Sequence, residues 1–150
     1  MIRVQQAPFD PGAEQQAMTQ GRRDIGAVVC FTGLVRDFNE HPDVVALTLE
    51  HYPGMTEASL GAIVDKAKRR WEVNDVRVIH RVGKLAPGDP IVLVAVASAH
   101  RRNAFEACDF IMDYLKTHAP FWKKEHTRDG HYWVSERERD LHDARRWEEA

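Results

Sequence analysis

The chain has 150 residues, 43% hydrophobic and 29% charged, a length that suits one domain able to bury roughly two thirds of its unfolded surface. Its 21 lysines and arginines stand against 23 aspartates and glutamates, a net charge of -2, which excludes a whole-surface basic footprint for nucleic acid. Cys30 and Cys108 are the only cysteines and form no C-x-x-C pair, which excludes a disulfide-dense secreted scaffold and a cysteine-built zinc site, so a reducing cytoplasm is the expected compartment.

Met1 to Asp10 lacks the basic and apolar segments of a secretory signal, and no later apolar run approaches the ~18 residues of a membrane span. Ile2 to Gln6 alternates weakly and reads as a short strand. Asp10-Pro11 offers an N-cap and a first-turn proline for a helix to about Gln20, with Gly21 ending it. Ile25 to Val35 is rich in β-branched and aromatic residues, and its Gly26 and Gly33 permit a bulge or a close backbone approach. A polar loop runs from Arg36 to Asp43. In Val44 to Tyr52 the two-residue alternation of Val45, Leu47 and Leu49 predicts a half-buried strand.

Pro53 opens a helical segment in which Leu60, Ile63, Val64, Ala67 and Trp71 recur at three- and four-residue spacing, the pattern of a helix packed on a sheet. Asp75 to Val82, with Val76, Val78, His80 and Val82 in phase, predicts a strand. Pro87-Gly88-Asp89-Pro90 is a tight connection. The unbroken apolar run Ile91 to Ala97 suggests a central strand covered on both faces. A helix from near His100 carries Ala104, Phe105, Cys108, Ile111, Met112 and Leu115 on one stripe and must stop before Pro120. Phe121 to Val134 reads as a strand pair or a loop, with Asp129-Gly130 as a turn signal. The charged segment from about 135 to 150, relieved mainly by Leu141 and Trp147, reads as an exposed helix or a partner-dependent tail. The order of elements favours one α+β domain over residues 1–150 with a largely mixed or antiparallel sheet.

Ser98-Ala99-His100-Arg101-Arg102 places three potentially cationic side chains where a buried strand ends and a helix begins. Cations there oppose the helix dipole, whereas an anion would meet unpaired amides and guanidinium groups together. The bland alternative is solvated arginines or arginines paired with acidic neighbours. Lys116 and Lys123 flank the helix stop. Crowded into one cleft with Lys124 and the basic helix start, each would disfavour charging the other, and a neutral lysine is a nucleophile or general base. Lysines in the last turn of a helix also simply favour its carbonyl end. Arg36 follows the end of a core strand, a favourable place to aim a side chain, though a solvated loop arginine is the commoner reading of such a position. Phe121 and Trp122 could stack on a planar heterocycle, bury into a partner or pack in the core. The eight histidines form no H-E-x-x-H face or compact ligand pair, so no metal is expected. Both cysteines read as inert core thiols.

Four blocks in order resemble the large, catalytic subunit of molybdopterin synthase, the MoaE family: Phe31-Thr32-Gly33-Leu34-Val35-Arg36, Leu47 to Met55, Ser98-Ala99-His100-Arg101, and Met112 to Glu125 with its Leu115-Lys116-Thr117 and Phe121-Trp122-Lys123 segments. The resemblance implies an α/β-hammerhead fold and a homodimer at the centre of a heterotetramer. One small ubiquitin-like sulfur carrier of the MoaD type would bind at each end. Its Gly-Gly terminus, as a thiocarboxylate, would supply the sulfur that turns cyclic pyranopterin monophosphate (precursor Z) into the dithiolene of molybdopterin, with no cofactor of the chain's own. It further implies Lys116 as the essential lysine and Lys123 as a second pocket lysine. Arg36, His100 and Arg101 would line the anion pocket, and Arg137 would enter that pocket from the other protomer. Where many relatives have a basic residue after Gly33, this chain has Leu34. A noncatalytic module docking a ubiquitin-like tail is the competing class, and an RNA-binding domain would need a continuous basic stripe.

Overall fold

The computed structural model describes residues 1–36, 46–127, 130–134 and 138–148. In chain order the elements are β1 (Ile2–Gln5), α1 (Pro11–Thr19), β2 (Ala27–Leu34), β3 (Ala46–His51), α2 (Met55–Arg70), β4 (Asp75–Arg81), β5 (Gly83–Leu85), β6 (Pro90–Ser98), α3 (Arg101–His118), β7 (Phe121–Thr127), β8 (Gly130–Val134) and α4 (Glu138–Arg145). The expected strand start at Val44 and Val45, the turn residue Asp129 and the candidate Arg137 lie outside the described residues.

The strands form two sheets where one was expected. The first has the order β1-β4-β6-β2 and the second β5-β3-β7-β8. In the first, β6 pairs antiparallel with β2 and β4, while β1 runs parallel to β4; the second is antiparallel throughout. The short β5 escaped the sequence reading because three residues carry no period.

The apolar run of β6 is covered on both faces, as its continuity predicts. Val92, Val94 and Val96 pack with Val76, Val78 and the buried faces of α2 and α3. Leu93, Ala95 and Ala97 pack with Ile79 and Met18 of α1. Each fully buried Val or Leu here stabilises the fold by about 1.5–3 kcal/mol relative to exposure. The helix ends follow their local chemistry. Asp10 caps α1 by accepting from the Ala13 N–H at 3.1 Å. At the start of α2, Gly54 takes φ +84°, which glycine tolerates best, and its N–H donates to Glu57 Oε2 at 3.1 Å.

Two expectations need correction. Phe105 is 60% exposed, because a step of one residue from Ala104 turns a side chain about 100° around the helix, away from the sheet. Cys30 is exposed, not a core thiol. β2 is an edge strand, and the Cys30 Sγ donates to Gln15 Oε1 at 3.5 Å. Cys108 is buried as expected, and burial pushes its thiol up to about 12.

The charged C-terminal segment docks within the chain. Trp147 meets Trp71 and Phe110 edge-on, each at 5.6 Å between ring centroids, and its indole N–H donates to Asp113 at 2.6 Å. Arg146 bridges Asp109 at 2.8 Å and Asp113 at 2.6 Å.

Candidate active site

Candidate residues stand at both ends of α3. At its start, His100 is the N-cap in extended conformation, makes no side-chain cap and is followed by no acidic residue in the first turn. A helix begun this way leaves its amides available to an anion. The preceding backbone is firmly held. Ser98 Oγ donates to the Glu72 carbonyl at 2.8 Å and accepts from the His100 N–H at 3.3 Å, and the Gly26 N–H donates to the Ser98 carbonyl at 2.9 Å. A Cβ on residue 26 would lie 2.3 Å from the Ala99 carbonyl oxygen, so the close approach anticipated for this glycine is real. His100, Arg101 and Arg102 are all exposed.

At the other end Lys116 lies exposed in the last turn of α3. Pro120 ends the helix and β7 starts at once, with His51 opposite Phe121 and Leu49 opposite Lys123 across the β3–β7 ladder. Thr56, fully buried, ties this junction together. Its Oγ1 accepts from the Tyr52 N–H at 3.0 Å and donates to the carbonyls of Tyr52 at 2.9 Å and Pro120 at 3.4 Å.

Beneath the junction lies His80, 6% exposed. Burial lowers its pKa to about 3, and the fields of Lys116, Lys123 and His51 push the same way against the Arg81 carbonyl. His51 of β3 pairs with Phe121, whose ring stacks on the buried His80 imidazole at 3.8 Å, and Lys116 and Lys123 flank Phe121 along the chain. Arg36 stands at the same end of the first sheet. The Val35 N–H donates to the Asp89 carbonyl at 3.0 Å and the Gly88 N–H to the Val35 carbonyl at 2.7 Å, which pins the exit of β2. Leu34 pairs with Pro90 and His80 with Val92, so both strand ends meet the start of β6.

His100 and Arg101 do not join this group within the chain. Lys116 lies fifteen residues after Arg101 along the helix, roughly 22 Å at 1.5 Å per residue. Along β6, the path from Val92 to Ser98 gives roughly 20 Å at 3.3 Å per residue. The cations therefore form two sets on opposite ends of one helix and one strand.

A rim of exposed apolar side chains borders the lysine end. Tyr52, Met55 and Trp122 are each about half exposed, and the Tyr52 and Trp122 rings lie 6.4 Å apart. Among the described residues no group of three or more His, Cys, Asp or Glu is placed to hold a metal ion, and no helix is long and apolar enough to cross a membrane. His51 and His80 were not singled out as site residues from the sequence. The available signal was His80 itself, a titratable side chain in phase with Val76, Val78 and Val82.

The family model described as MoaE protein matches residues 4–118. The chain belongs to the MoaE family. The matched span holds Arg36, His100, Arg101 and Lys116, and full-length relatives extend past Lys123. A molybdopterin synthase catalytic subunit of Pseudomonas aeruginosa is 57% identical over 148 residues, 99% of each chain. One of Escherichia coli is 58% identical over 140 residues, 93% of each. Among solved structures, a MoaE protein from Burkholderia ambifaria superposes with a TM-score of 0.84 at 51% identity, covering 99% of this chain and 97% of that one. A molybdopterin synthase from Staphylococcus aureus gives 0.81 at 32% identity, covering 88% and 95%. The MoaE fold is thus the mixed α+β arrangement described above, two sheets with flanking helices.

Proposed function

We propose that this MoaE-family chain is the catalytic subunit of a molybdopterin synthase. It moves two sulfurs to cyclic pyranopterin monophosphate, one from each of two C-terminal thiocarboxylates of a small ubiquitin-like carrier of the MoaD type, each carrier leaving as its carboxylate after hydrolysis, and so produces the dithiolene of molybdopterin. The observation that carries the reading is the placement of Lys116 and Lys123 on either side of Phe121 at the α3–β7 junction, where Phe121 stacks on the buried His80, in a chain whose relatives bear that name over almost their full length. The apolar rim of Tyr52, Met55 and Trp122 beside the lysines suits an extended carrier tail. The buried Cys108 suits the sulfur-donor role poorly: burial raises its thiol to about 12, and the thiolate is the reactive form.

The substrate phosphate binds at the uncapped start of α3 with His100 and Arg101, and Arg36 completes the anion pocket beside the lysines. Binding through this non-reacting group orients the pterin carbons toward the incoming sulfur. Lys116 transfers protons as the cyclic phosphate opens and sulfur adds, and Lys123 stabilises the developing negative charge.

Because the two cation sets lie roughly 20 Å apart in one chain, a complete pocket needs a second copy. The edge strand β2 fits that role, with Phe31 and Leu34 exposed on it and Phe105 exposed on α3. An unpaired apolar edge is a template for pairing. Two β2 strands related by a two-fold axis run antiparallel, which sets the Ala27 end of one copy, with its His100 and Arg101, beside the Arg36 end of the other. Arg137 enters the pocket from the same neighbouring copy. The homodimer, with one carrier at each end, forms the heterotetramer and works in the cytoplasm.

The test is a Lys116→Ala protein supplied with thiocarboxylated carrier and the phosphorylated pterin. Dithiolene formation should be lost while the fold and carrier binding persist, and a wild-type rate would remove Lys116 from the mechanism.

A further inference from the structure

His80 is placed to do more than fill the core. Its ring stacks on Phe121 with centroids 3.8 Å apart and planes 17° from parallel. Its Nδ1 lies 2.8 Å from the Arg81 carbonyl. A carbonyl only accepts, so Nδ1 carries the proton and this bond fixes the plane of the ring. The charged and titratable groups acting on the ring are Lys116 from α3, Lys123 from β7 and His51 from β3, and burial keeps the imidazole neutral beside them.

Phe121 is the first residue of β7 and follows the proline that stops α3. Lys116 lies five residues before it. Lys123 lies two residues after it, on the same strand face by alternation. The stack therefore fastens the α3–β7 junction, which belongs to the second sheet, to the end of β4 in the first sheet.

We propose that His80 is a positioning residue for the lysine pair, its ring clamping Phe121 so that Lys116 and Lys123 keep a fixed separation at the reacting centre. The inference rests on the sulfur-transfer reading above. It assigns His80 no contact with substrate, since the ring is covered by protein. A displacement of about 1 Å at a reacting group costs up to about a hundredfold in rate, so the clamp should be visible in kcat.

The experiment compares His80→Leu, Phe121→Leu and His80→Phe with wild type and Lys116→Ala, using the homodimer with thiocarboxylated carrier and phosphorylated pterin. The two leucine variants fill space without a stacking face and should lower kcat by roughly ten- to a hundredfold. KM for the pterin should stay within about twofold, because the phosphate is held at the start of α3. The limb of the pH–rate profile that reports the lysines should move in both. His80→Phe keeps the stack and should recover most of kcat.

A folded His80→Leu or Phe121→Leu protein with wild-type kcat and pH profile would overturn the clamp. So would a His80→Phe protein as impaired as His80→Leu. Should His80→Leu not fold, Phe121→Leu removes the same stack from its other ring and decides alone. Lys116→Ala separates the two claims: an active Lys116→Ala defeats the mechanism itself, whereas an inactive one beside unimpaired ring variants defeats only the role of His80.

Discussion

If Lys116 of one copy works with His100 and Arg101 of another, two inactive variants should restore each other. The perturbation pairs a Lys116→Ala chain with a chain carrying His100→Ala and Arg101→Ala, co-expressed with different tags. Hydrogen bonds to charged groups contribute about 1.5–3 kcal/mol, so the doubly substituted homodimer should fall at least about tenfold and leave a low background. Random pairing makes about half of the dimers mixed, and each mixed dimer holds one site with both lesions and one with neither. About a quarter of all sites are then intact, and the unfractionated mixture should recover about a quarter of wild-type dithiolene formation. Mixed dimers purified through both tags should show about half. If each pocket were built within a single chain, every site would carry a lesion and nothing would return. Purified mixed dimers at background activity would therefore refute the two-copy pocket, and with it the weight placed on the roughly 20 Å between the two cation sets.

Gly26→Ala should weaken substrate binding before it weakens chemistry, because the added Cβ meets the Ala99 carbonyl 2.3 Å away and displaces the backbone that presents His100. Overpacking of this kind costs about 1–3 kcal/mol, and a pterin titration with a denaturation curve would separate the raised KM from lost stability. Thr56→Val removes the hydroxyl that serves the Tyr52 N–H and the Pro120 carbonyl. It should destabilise by about 1–3 kcal/mol, read as a shift in the urea midpoint. The buried His80 makes stability depend on pH with a definite sign. Its pKa is about 3 in the fold against 6.5 ordinarily, so the unfolded chain binds a proton that the folded chain does not. That contribution is complete above pH 6.5 and is lost as the pH falls from 6.5 toward 3, at about 1.4 kcal/mol per pH unit. Urea unfolding at pH 7 and pH 5 should show the loss, and His80→Phe should reduce it.

Much of the architecture was legible because burial imposes a period on neighbouring residues. The two-residue alternation of Leu47 and Leu49, the three- and four-residue spacing of Leu60, Ile63, Val64 and Ala67, and the unbroken run of β6 each report how many faces of an element are covered. Caps and stops, such as Asp10 before α1 and Pro120 after α3, are equally local. Errors arose where exposure depended on position in the assembled fold. Cys30 looks like a core residue in an apolar strand, yet β2 is an edge. Phe105 lies beside a buried stripe yet points away from it. β5 exists because β3 offers it a ladder.

The sequence by itself determined most of the elements, the family and the residue types available for chemistry, since these depend on local pattern and on blocks of residues in order. Tertiary structure alone decided which of those residues can act together. The strand pairing and the run of α3 beside β6 set Lys116, Lys123 and Arg36 at one end and His100 and Arg101 at the other. They also bring His80 beneath the lysines, where distance and exclusion of water, which no one-dimensional pattern encodes, hold its charge off.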